Sequence, residues 1–226
     1  MGQNGTGRLA AKRRIGVIGD IHTEVDVLRW ALDTLRAQDV ELILATGDIA
    51  DGPQHESGVE DCCKLLREQR VHVVSGNHDR WMLDNDMRTL PDATTASELD
   101  AGTREFLRSL PSSIEVETPL GLMLFGHGLG GDDMATLFPH DRGVALRDNS
   151  VLQTILDLKR YKLLCHGHTH QRMVRIVDDV IAINAGALLR KREPCCLVLD
   201  FEARKARFLD YGEGGKIEAG PELPLV

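Results

Sequence analysis

The segment Ser75-Gly76-Asn77-His78-Asp79 directly follows residues 71–74, an apolar run whose alternation is typical of a buried strand. Its polar residues therefore lie where a strand ends, and in an α/β sheet ligands bind outside the carboxyl ends of the strands. Gly76 permits the tight turn needed at this position. Asn77 offers a neutral oxygen ligand, His78 an acid or base, and Asp79 a carboxylate that can orient the histidine. Alone, the segment is equally consistent with an ordinary polar turn.

The same arrangement recurs at two earlier strand ends. Residues 15–18 lead into Gly19-Asp20-Ile21-His22, and residues 42–45 lead into Thr46-Gly47-Asp48. Asp20, Asp48 and Asn77 thus follow one another at intervals of about one βαβ unit. Three successive parallel strands would then present metal-competent side chains along one edge of a single sheet.

Later parts of the chain supply further histidines after predicted strands. A strand over 120–125 leads into Gly126-His127-Gly128, and a strand over 163–165 leads into His166-Gly167-His168-Thr169-His170. The patterns also predict helices and other strands, namely helices over 24–38, 60–69, 103–110 and 150–159, a short helix around 81–83, a first hairpin strand over 114–116, a second hairpin over 173–176 and 180–183, and strands over 195–200 and 206–209.

The domain organisation predicted from composition is a single domain over residues 15–211. Residues 1–14 are Gly-rich at the start and basic at the end, which indicates a disordered leader without a secretory signal. Residues 212–226 are rich in Gly, Pro and Glu, which indicates a tail outside the core. Nothing in the sequence between 15 and 211 resembles a linker.

Composition excludes several classes of protein. The formal net charge of −8 and the pI of about 5.6 argue against a nucleic-acid binder that neutralises phosphates. No apolar run reaches the roughly 18–20 residues that span a bilayer. The five cysteines are odd in number and include two adjacent pairs without a C-x-x-C spacing, which favours reduced thiols and a cytoplasmic location.

The polar residues at the strand ends match the chemistry of a metal centre. Carboxylate oxygen and neutral imidazole are usual ligands of Mn, Fe and Zn ions. Seven ligands suffice for two divalent metal ions if one carboxylate bridges them, and two ions about 4 Å apart can clamp both oxygens of a phosphoryl displacement. His78 is then free to protonate the leaving group. The seven candidate ligands are Asp20, His22, Asp48, Asn77, His127, His168 and His170.

The ordered set of motifs resembles the calcineurin-like metallophosphoesterase superfamily. Its five blocks occur here in the family order, spanning positions 20 to 170; they are Gly19-Asp20-Ile21-His22, Gly47-Asp48, Gly76-Asn77-His78-Asp79, Gly126-His127 and Gly167-His168-Thr169-His170. The resemblance implies an α/β fold of two packed mixed β-sheets flanked by α-helices, a four-layer sandwich. It also implies a metal-dependent phosphoesterase, a hydrolase acting on ester bonds (EC 3.1), whose substrate is a phosphorylated small molecule or a nucleotide.

The resemblance further assigns roles to individual residues. A water or hydroxide bridging the two metal ions would attack phosphorus, and His78 would act as general acid or bind a phosphate oxygen, with Asp79 orienting its ring. The implied ligands are Asp20, His22 and His170 for the first ion, Asn77, His127 and His168 for the second, and Asp48 as the bridge.

Departures from the family motifs leave the substrate open. The G-D-x-x-D-R-G block of Ser/Thr protein phosphatases reads here Gly47-Asp48-Ile49-Ala50-Asp51-Gly52-Pro53 and lacks the arginine, although Arg80 could contact phosphate instead. The turn Asn184-Ala185-Gly186 resembles the N-P-G-S stretch of small bacterial phosphodiesterases, which often have Cys in place of His78. The alternatives are a dinucleoside-polyphosphate or protein phosphatase and a non-catalytic scaffold such as the retromer subunit with this fold.

Two further features allow more than one interpretation. His166 alternates with His168 and His170 and is either a ligand or a residue behind the ligands. The charged run Arg190-Lys191-Arg192-Glu193 is either a solvated face or a rim that attracts an anionic substrate. Oligomeric state is not indicated by any of these patterns.

Overall fold

The computed structural model describes residues 7–226, and within this range twelve strands and six α-helices occur. The strands are β1 (Gly7–Leu9), β2 (Arg14–Ile18), β3 (Leu42–Ala45), β4 (His72–Val73), β5 (Ser113–Thr118), β6 (Gly121–Gly126), β7 (Leu163–His166), β8 (Met173–Val177), β9 (Val180–Asn184), β10 (Cys195–Asp200), β11 (Lys205–Tyr211) and β12 (Ile217–Pro224). The helices are α1 (Val25–Arg36), α2 (His55–Glu68), α3 (Asn77–Asp84), α4 (Ala101–Ser109), α5 (Val144–Arg147) and α6 (Ser150–Asp157).

The first sheet has the strand order β12-β11-β10-β2-β3-β4. Its strands β2, β3 and β4 are parallel neighbours, with Val17 opposite Leu44 and Ala45 opposite Val73. Helices α1 and α2 provide the crossovers that parallel neighbours require. As the spacing predicts, the carboxyl ends of these three strands lie side by side.

The second sheet has the strand order β1-β5-β6-β7-β9-β8. Strands β6 and β7 are parallel, with Phe125 opposite Cys165, whereas β5–β6 and β8–β9 are antiparallel hairpins. The carboxyl ends of β6 and β7 are the points where His127 and the His168 block begin.

Three apolar clusters separate the layers of the fold. One fills the space between the sheets and includes Val17, Leu44, Phe125 and Phe208, all fully buried. A second packs α1, α2 and α4 on the outer face of the first sheet, and a third packs α6 on the outer face of the second. The protein is therefore an α-β-β-α sandwich of two mixed sheets, which confirms the predicted fold class.

The chain ends depart from the expected leader and tail. Gly7–Leu9 forms β1 and pairs in parallel with β5, while residues 1–6 of the expected leader lie outside the described residues. At the other end, β12 pairs with β11, and Leu225 is only 1% exposed and packs between the sheets. The expectation of a tail was wrong because β12 is held by backbone pairing, while most of its side chains are exposed and give no apolar signal.

Two composition-based expectations can be compared with the structure. All five cysteines are buried and carry free thiols. Among residues 7–226, no helix has the length and apolar character required to cross a membrane.

Candidate metal centre

The seven predicted ligands come together where the carboxyl ends of the two sheets meet. Asp20, Asp48 and Asn77 follow β2, β3 and β4 of the first sheet, and His127 follows β6 of the second. His168 and His170 lie in the turn after β7. A backbone bridge between Asp20 and Ala187 joins this edge of the first sheet to the segment that follows β9.

Two groups of potential ligand atoms share one carboxylate. His22, Asp48 and His170 form one group and Asp48, His127 and His168 the other, each with its ligand atoms within 4.8 Å of one another. Asp48 Oδ2 lies 3.6 Å from His22 Nε2 and 3.3 Å from His127 Nε2. The other oxygen, Asp48 Oδ1, accepts a hydrogen bond of 2.9 Å from the His78 backbone N–H. The Asp48 carboxylate is thus fixed with one oxygen between the two groups.

Asp20 and Asn77 complete the two groups. Asp20 Oδ2 lies 3.1 Å from His170 Nε2, and its Oδ1 accepts a hydrogen bond of 2.7 Å from the Thr46 hydroxyl. Asn77 Oδ1 lies 2.8 Å from His127 Nε2. Each group therefore has one further candidate oxygen ligand. Asp20 lies with His22 and His170, and Asn77 lies with His127 and His168, as the family resemblance implies.

The His22 and His127 rings are oriented in a way that suits binding of a cation. His22 Nδ1 lies 2.8 Å from the Asp51 carbonyl and His127 Nδ1 lies 2.8 Å from the Thr46 carbonyl, so both Nδ1 atoms must donate. In the neutral tautomer each Nε2 then carries a lone pair directed into its group, as in metal-ligating histidines held by a backbone carbonyl.

Further nitrogen and oxygen atoms of candidate ligands lie close to these lone pairs. His22 Nε2 lies 3.2 Å from His170 Nε2, and His127 Nε2 lies 3.2 Å from His168 Nδ1 and 2.8 Å from Asn77 Oδ1. Convergence of several potential ligand atoms on one point is the arrangement that a cation satisfies. The donor set, oxygen and imidazole nitrogen, suits first-row divalent metals.

The backbone around the ligands adopts conformations that are unfavourable for L-residues. The φ angles are 46° at His22, 45° at Asp48, 64° at His168 and 56° at His170. Each such residue costs on the order of 1–3 kcal/mol and persists where the surrounding structure enforces it, commonly at functional sites. A Cβ on Gly76 would lie 2.1 Å from Asp48 Oδ1, so glycine is required where the backbone approaches the shared carboxylate.

The ionisation of the buried ligands follows from their mutual contacts. Burial acts to raise the pKa of Asp20, but the neighbouring His127, His170 and His22 outweigh it and hold that pKa well below its usual range. Burial acts to lower the pKa of His127, but the charges of Asp48 and Asp20 raise it overall. The Asp20 carboxylate is therefore kept in the ionised form that metal binding requires, whereas His127 must lose its proton to act as a ligand.

His78 lies beside the metal ligands with its ring fixed by a buried carboxylate. Its Nδ1 is 2.8 Å from Asp51 Oδ2, and its ring centroid is 4.9 Å from that of His22. Burial acts to lower the pKa of His78, but the Asp51 hydrogen bond and the charges of Asp48, Asp51 and Asp79 raise it. Because Nδ1 binds Asp51, Nε2 is the ring nitrogen left to meet a substrate.

Asp51 is held on both oxygens by an arginine. Arg88 donates to Asp51 Oδ1 and Oδ2 at 2.8 Å each, and the Thr94 backbone N–H donates to Oδ1 at 2.8 Å. Burial acts to raise the pKa of Asp51, but the hydrogen bonds from His78 and Arg88 outweigh it and hold that pKa well below its usual range. Asp51 is therefore an anion with a fixed orientation.

The role expected for Asp79 was wrong. Its Oδ1 accepts the backbone N–H groups of Ile49 and Ala50 at 2.8 and 3.0 Å, and its Oδ2 accepts that of Gly76 at 3.0 Å. Asp79 caps the N-terminus of α3 and fixes the loop after Asp48. The side chain at the third helical position turns back to the backbone, whereas His78 points outward and meets Asp51 instead.

Arg80 and His166 do not join either ligand group. Arg80 donates to both oxygens of Asp133, at 2.6 and 2.9 Å, and lines a different cavity of about 790 Å³. His166 is fully buried, and burial lowers its pKa to about 4. Its Nδ1 lies 3.3 Å from the Asn184 amide nitrogen, which also donates to the Gly167 carbonyl at 2.6 Å. His166 and Asn184 thus lie behind the turn that carries His168.

A cavity of about 400 Å³ opens beside the ligand group of His22 and His170. His78 and Asp51 also line it, which places the candidate general acid at the same opening. The charged residues on its remaining wall are Glu24, Asp92, Lys191 and Arg192.

The sequence motifs did not assign a role at this site to Asp51 or Arg88. Asp51 belongs to the same block as Asp48, three positions later, and that second aspartate was a usable signal. Arg88 lies outside every motif, in the segment after α3 for which no clear pattern was found, and nothing in the sequence distinguished it.

The fold brings residues that could hold divalent metal ions together at one edge of the sheets. Residues 14–204 match the calcineurin-like phosphoesterase superfamily domain, and the chain belongs to this superfamily of metal-dependent phosphate-ester hydrolases.

Two curated relatives from Methanocaldococcus jannaschii are similar to the chain. An uncharacterised protein is 27% identical over 123 residues, which cover 51% of this chain and 49% of the relative, so the match extends over only about half of that relative. A phosphodiesterase is 21% identical over 182 residues, which cover 76% of this chain and 82% of the relative.

Solved structures share the fold. A hypothetical protein of Pyrococcus horikoshii superposes with a TM-score of 0.69 at 16% identity, covering 89% of this chain and 88% of its own. A metallophosphoesterase of Sphaerobacter thermophilus gives 0.64 at 21% identity, with the same 89% and 88% coverage. Vps29 of Entamoeba histolytica in complex with Zn²⁺ gives 0.51 at 19% identity, covering 94% of this chain and 99% of its own.

Proposed function

We propose that the protein is a dimetal-dependent hydrolase of phosphodiesters or phosphomonoesters, with two divalent ions of Mn, Fe, Zn or similar type. The observation that carries this proposal is the Asp48 carboxylate, whose Oδ2 lies 3.6 Å from His22 Nε2 and 3.3 Å from His127 Nε2. A carboxylate oxygen placed between two groups of nitrogen and oxygen ligands suits a pair of ions that share one ligand.

The ligand assignment follows the two groups in the structure. The first ion would bind Asp20, His22 and His170, the second Asn77, His127 and His168, and Asp48 would bridge. When bound, the ions would lower the pKa of water to supply a nucleophile at neutral pH and would polarise the phosphoryl oxygens. The Asp51 and Thr46 carbonyls hold His22 and His127 in the tautomer that ligation needs.

His78 is proposed to protonate the leaving-group oxygen. Its Nδ1 binds Asp51 at 2.8 Å, so the proton leaves from Nε2 toward the cavity and is replaced from solvent. The negative charge of Asp51 stabilises the protonated ring before transfer, and Arg88 keeps that carboxylate in place. Asp51, and not Asp79, is proposed as the residue that positions the general acid.

The proposed substrate is a phosphorylated small molecule or a nucleotide. The proposed enzyme class is EC 3.1, hydrolases acting on ester bonds, and the proposed location is the cytoplasm. The similar phosphodiesterase of Methanocaldococcus jannaschii favours a diester. The missing arginine of the G-D-x-x-D-R-G block disfavours a protein phosphatase, since Arg80 is occupied by Asp133. Retention of both ligand groups and of His78 disfavours a scaffold without catalysis.

The test is hydrolysis of bis-p-nitrophenyl phosphate and p-nitrophenyl phosphate by metal-stripped protein after addition of Mn²⁺. We expect hydrolysis only with the metal, and faster cleavage of the diester. Asp48→Asn serves as the matched control because it keeps the shape of the side chain and removes its charge. Metal-independent hydrolysis, or equal activity of Asp48→Asn, would contradict the proposal.

A further inference from the structure

The cavity beside the metal centre has two cationic side chains that the proposed chemistry does not use. Lys191 and Arg192 line it together with His22, His78 and His170. Among residues 7–226, neither has a carboxylate oxygen within 4.0 Å, whereas the preceding Arg190 is paired. Both side chains are exposed at the rim of this cavity, where they can meet an anionic group of a substrate.

The turn that carries the two cations is fixed by a buried acid. Glu24 is only 3% exposed, and it accepts the Arg190 backbone N–H at 2.9 Å and lies 3.0 Å from the Arg190 guanidinium. The Arg192 N–H donates to the Leu189 carbonyl at 2.9 Å, which closes the turn. Just before the turn, the Leu188 N–H donates at 2.8 Å to the carbonyl of the candidate ligand Asp20.

These contacts fix the backbone of the turn beside the candidate ligands, and the Lys191 and Arg192 side chains extend from it. Arg190 pairs with Glu24 and Arg88 pairs with Asp51. Apart from the histidines, the charged residues left on the cavity wall are then the adjacent cations Lys191 and Arg192 and the acid Asp92. An anionic group of a substrate would bind at the turn and away from Asp92.

We propose that Lys191 and Arg192 bind a second phosphate group of the substrate, distinct from the phosphate that is hydrolysed. The proposal rests on the proposed hydrolase function of the same site and narrows its substrate to compounds with two or more phosphates. Arginine and lysine both donate charge-assisted hydrogen bonds to phosphate oxygens. The turn acts in binding and specificity and takes no part in the chemical step.

The experiment compares two substrates that differ by one phosphate. These are the p-nitrophenyl ester of thymidine 5′-phosphate and the same ester carrying a 3′-phosphate, hydrolysed by Mn²⁺-loaded protein. The wild-type protein should show a KM about tenfold lower for the ester with the second phosphate. The double variant Lys191→Gln/Arg192→Gln should lose that advantage through KM, with kcat unchanged.

A charge-matched control separates this effect from a general loss of positive charge. Arg29 and Lys64 are exposed on α1 and α2 and do not line the cavity. The double variant Arg29→Gln/Lys64→Gln should keep the tenfold preference. Equal KM values for the two esters in the wild-type protein, or a preference retained by Lys191→Gln/Arg192→Gln, would overturn the proposal while leaving the hydrolase function intact.

If neither ester is hydrolysed, that result counts against the proposed hydrolase function. Direct binding then tests the second phosphate site on its own. Calorimetry then compares thymidine 5′-phosphate with thymidine 3′,5′-bisphosphate as ligands. Tighter binding of the bisphosphate to the wild-type protein, absent in Lys191→Gln/Arg192→Gln, supports the second phosphate site. Equal affinity of the wild-type protein for the two ligands overturns it.

Discussion

The two ligand groups differ in their contact with the cavity, although each combines two buried residues with one half-buried histidine. The inner cluster (Asn77, His127 and His168) does not line this cavity. The cavity-side cluster (Asp20, His22 and His170) has His22 and His170 on the cavity wall. Asp48 joins the two. The cavity-side cluster is thus the side that a substrate in this cavity meets.

The largest effect is expected from loss of the shared residue. Asp48→Asn removes the negative charge that both clusters use, so both should lose metal affinity together. Since a bound metal contributes several kcal/mol of transition-state stabilisation, kcat should fall by about 10³-fold or more. The check is the Mn²⁺ content of the purified variant together with its kcat. A variant that still holds one full equivalent of metal would show that Asp48 is not shared.

Single histidine variants should separate the two clusters. His170→Ala should leave the inner cluster loaded, with metal content reduced by half and thermal stability little changed, because the His170 side chain is 19% exposed. His127→Ala should also lose metal and should in addition lower the melting temperature of the metal-free protein, because it empties a fully buried position. Equal stability losses in the two metal-free variants would contradict the difference in burial between His170 and His127.

Loss of the proposed general acid, His78, should lower turnover without lowering the metal content of either cluster. His78→Ala is expected to lower kcat by about 10²-fold while metal content stays at the wild-type level, because the hydrogen bond of His78 to Asp48 is made by its backbone N–H, which the substitution keeps. The effect should be smaller for an ester whose leaving group needs no proton. Normal turnover of His78→Ala with an alkyl phosphate ester would exclude the role.

Asp51 and Arg88 should affect turnover by holding His78 in position. Asp51→Asn is expected to lower kcat by about 10- to 100-fold, as loss of an orienting carboxylate does elsewhere. Combined with His78→Ala, it should add little further loss, since Asp51 acts only by orienting the proton donor that His78→Ala removes. Arg88→Gln should have a weaker effect in the same direction. Full additivity of Asp51→Asn and His78→Ala in kcat would contradict the pairing seen in the structure.

Asp79 should affect stability more than turnover. Asp79→Ala leaves three buried backbone N–H groups without their acceptor, so the free energy of unfolding should fall by about 2–4 kcal/mol. Asp79→Asn, which keeps an acceptor oxygen, is the matched control and should lose less. Denaturant unfolding of the metal-free variants provides the measurement, and unchanged stability of Asp79→Ala would contradict the capping role.

The sequence predicts that the seven candidate ligands lie close together because their signal is local. Each candidate ligand lies within a few residues of the end of an apolar strand, and parallel strands bring such ends together by topology alone. The partner of His78 was assigned wrongly because sequence adjacency favoured Asp79, while the choice between Asp51 and Asp79 depends on the direction of side chains at the start of α3. Arg88 and β12 were missed because their contacts, an ion pair and backbone pairing, leave no apolar pattern.

Electron paramagnetic resonance of the protein loaded with Mn²⁺ tests the central claim most directly. Two ions that share the Asp48 carboxylate are close enough for their electron spins to couple. We therefore expect two equivalents of bound Mn²⁺ with an exchange-coupled spectrum, and loss of that spectrum in Asp48→Asn. A spectrum of isolated Mn²⁺ ions at two equivalents, or saturation at one equivalent, would contradict the shared centre.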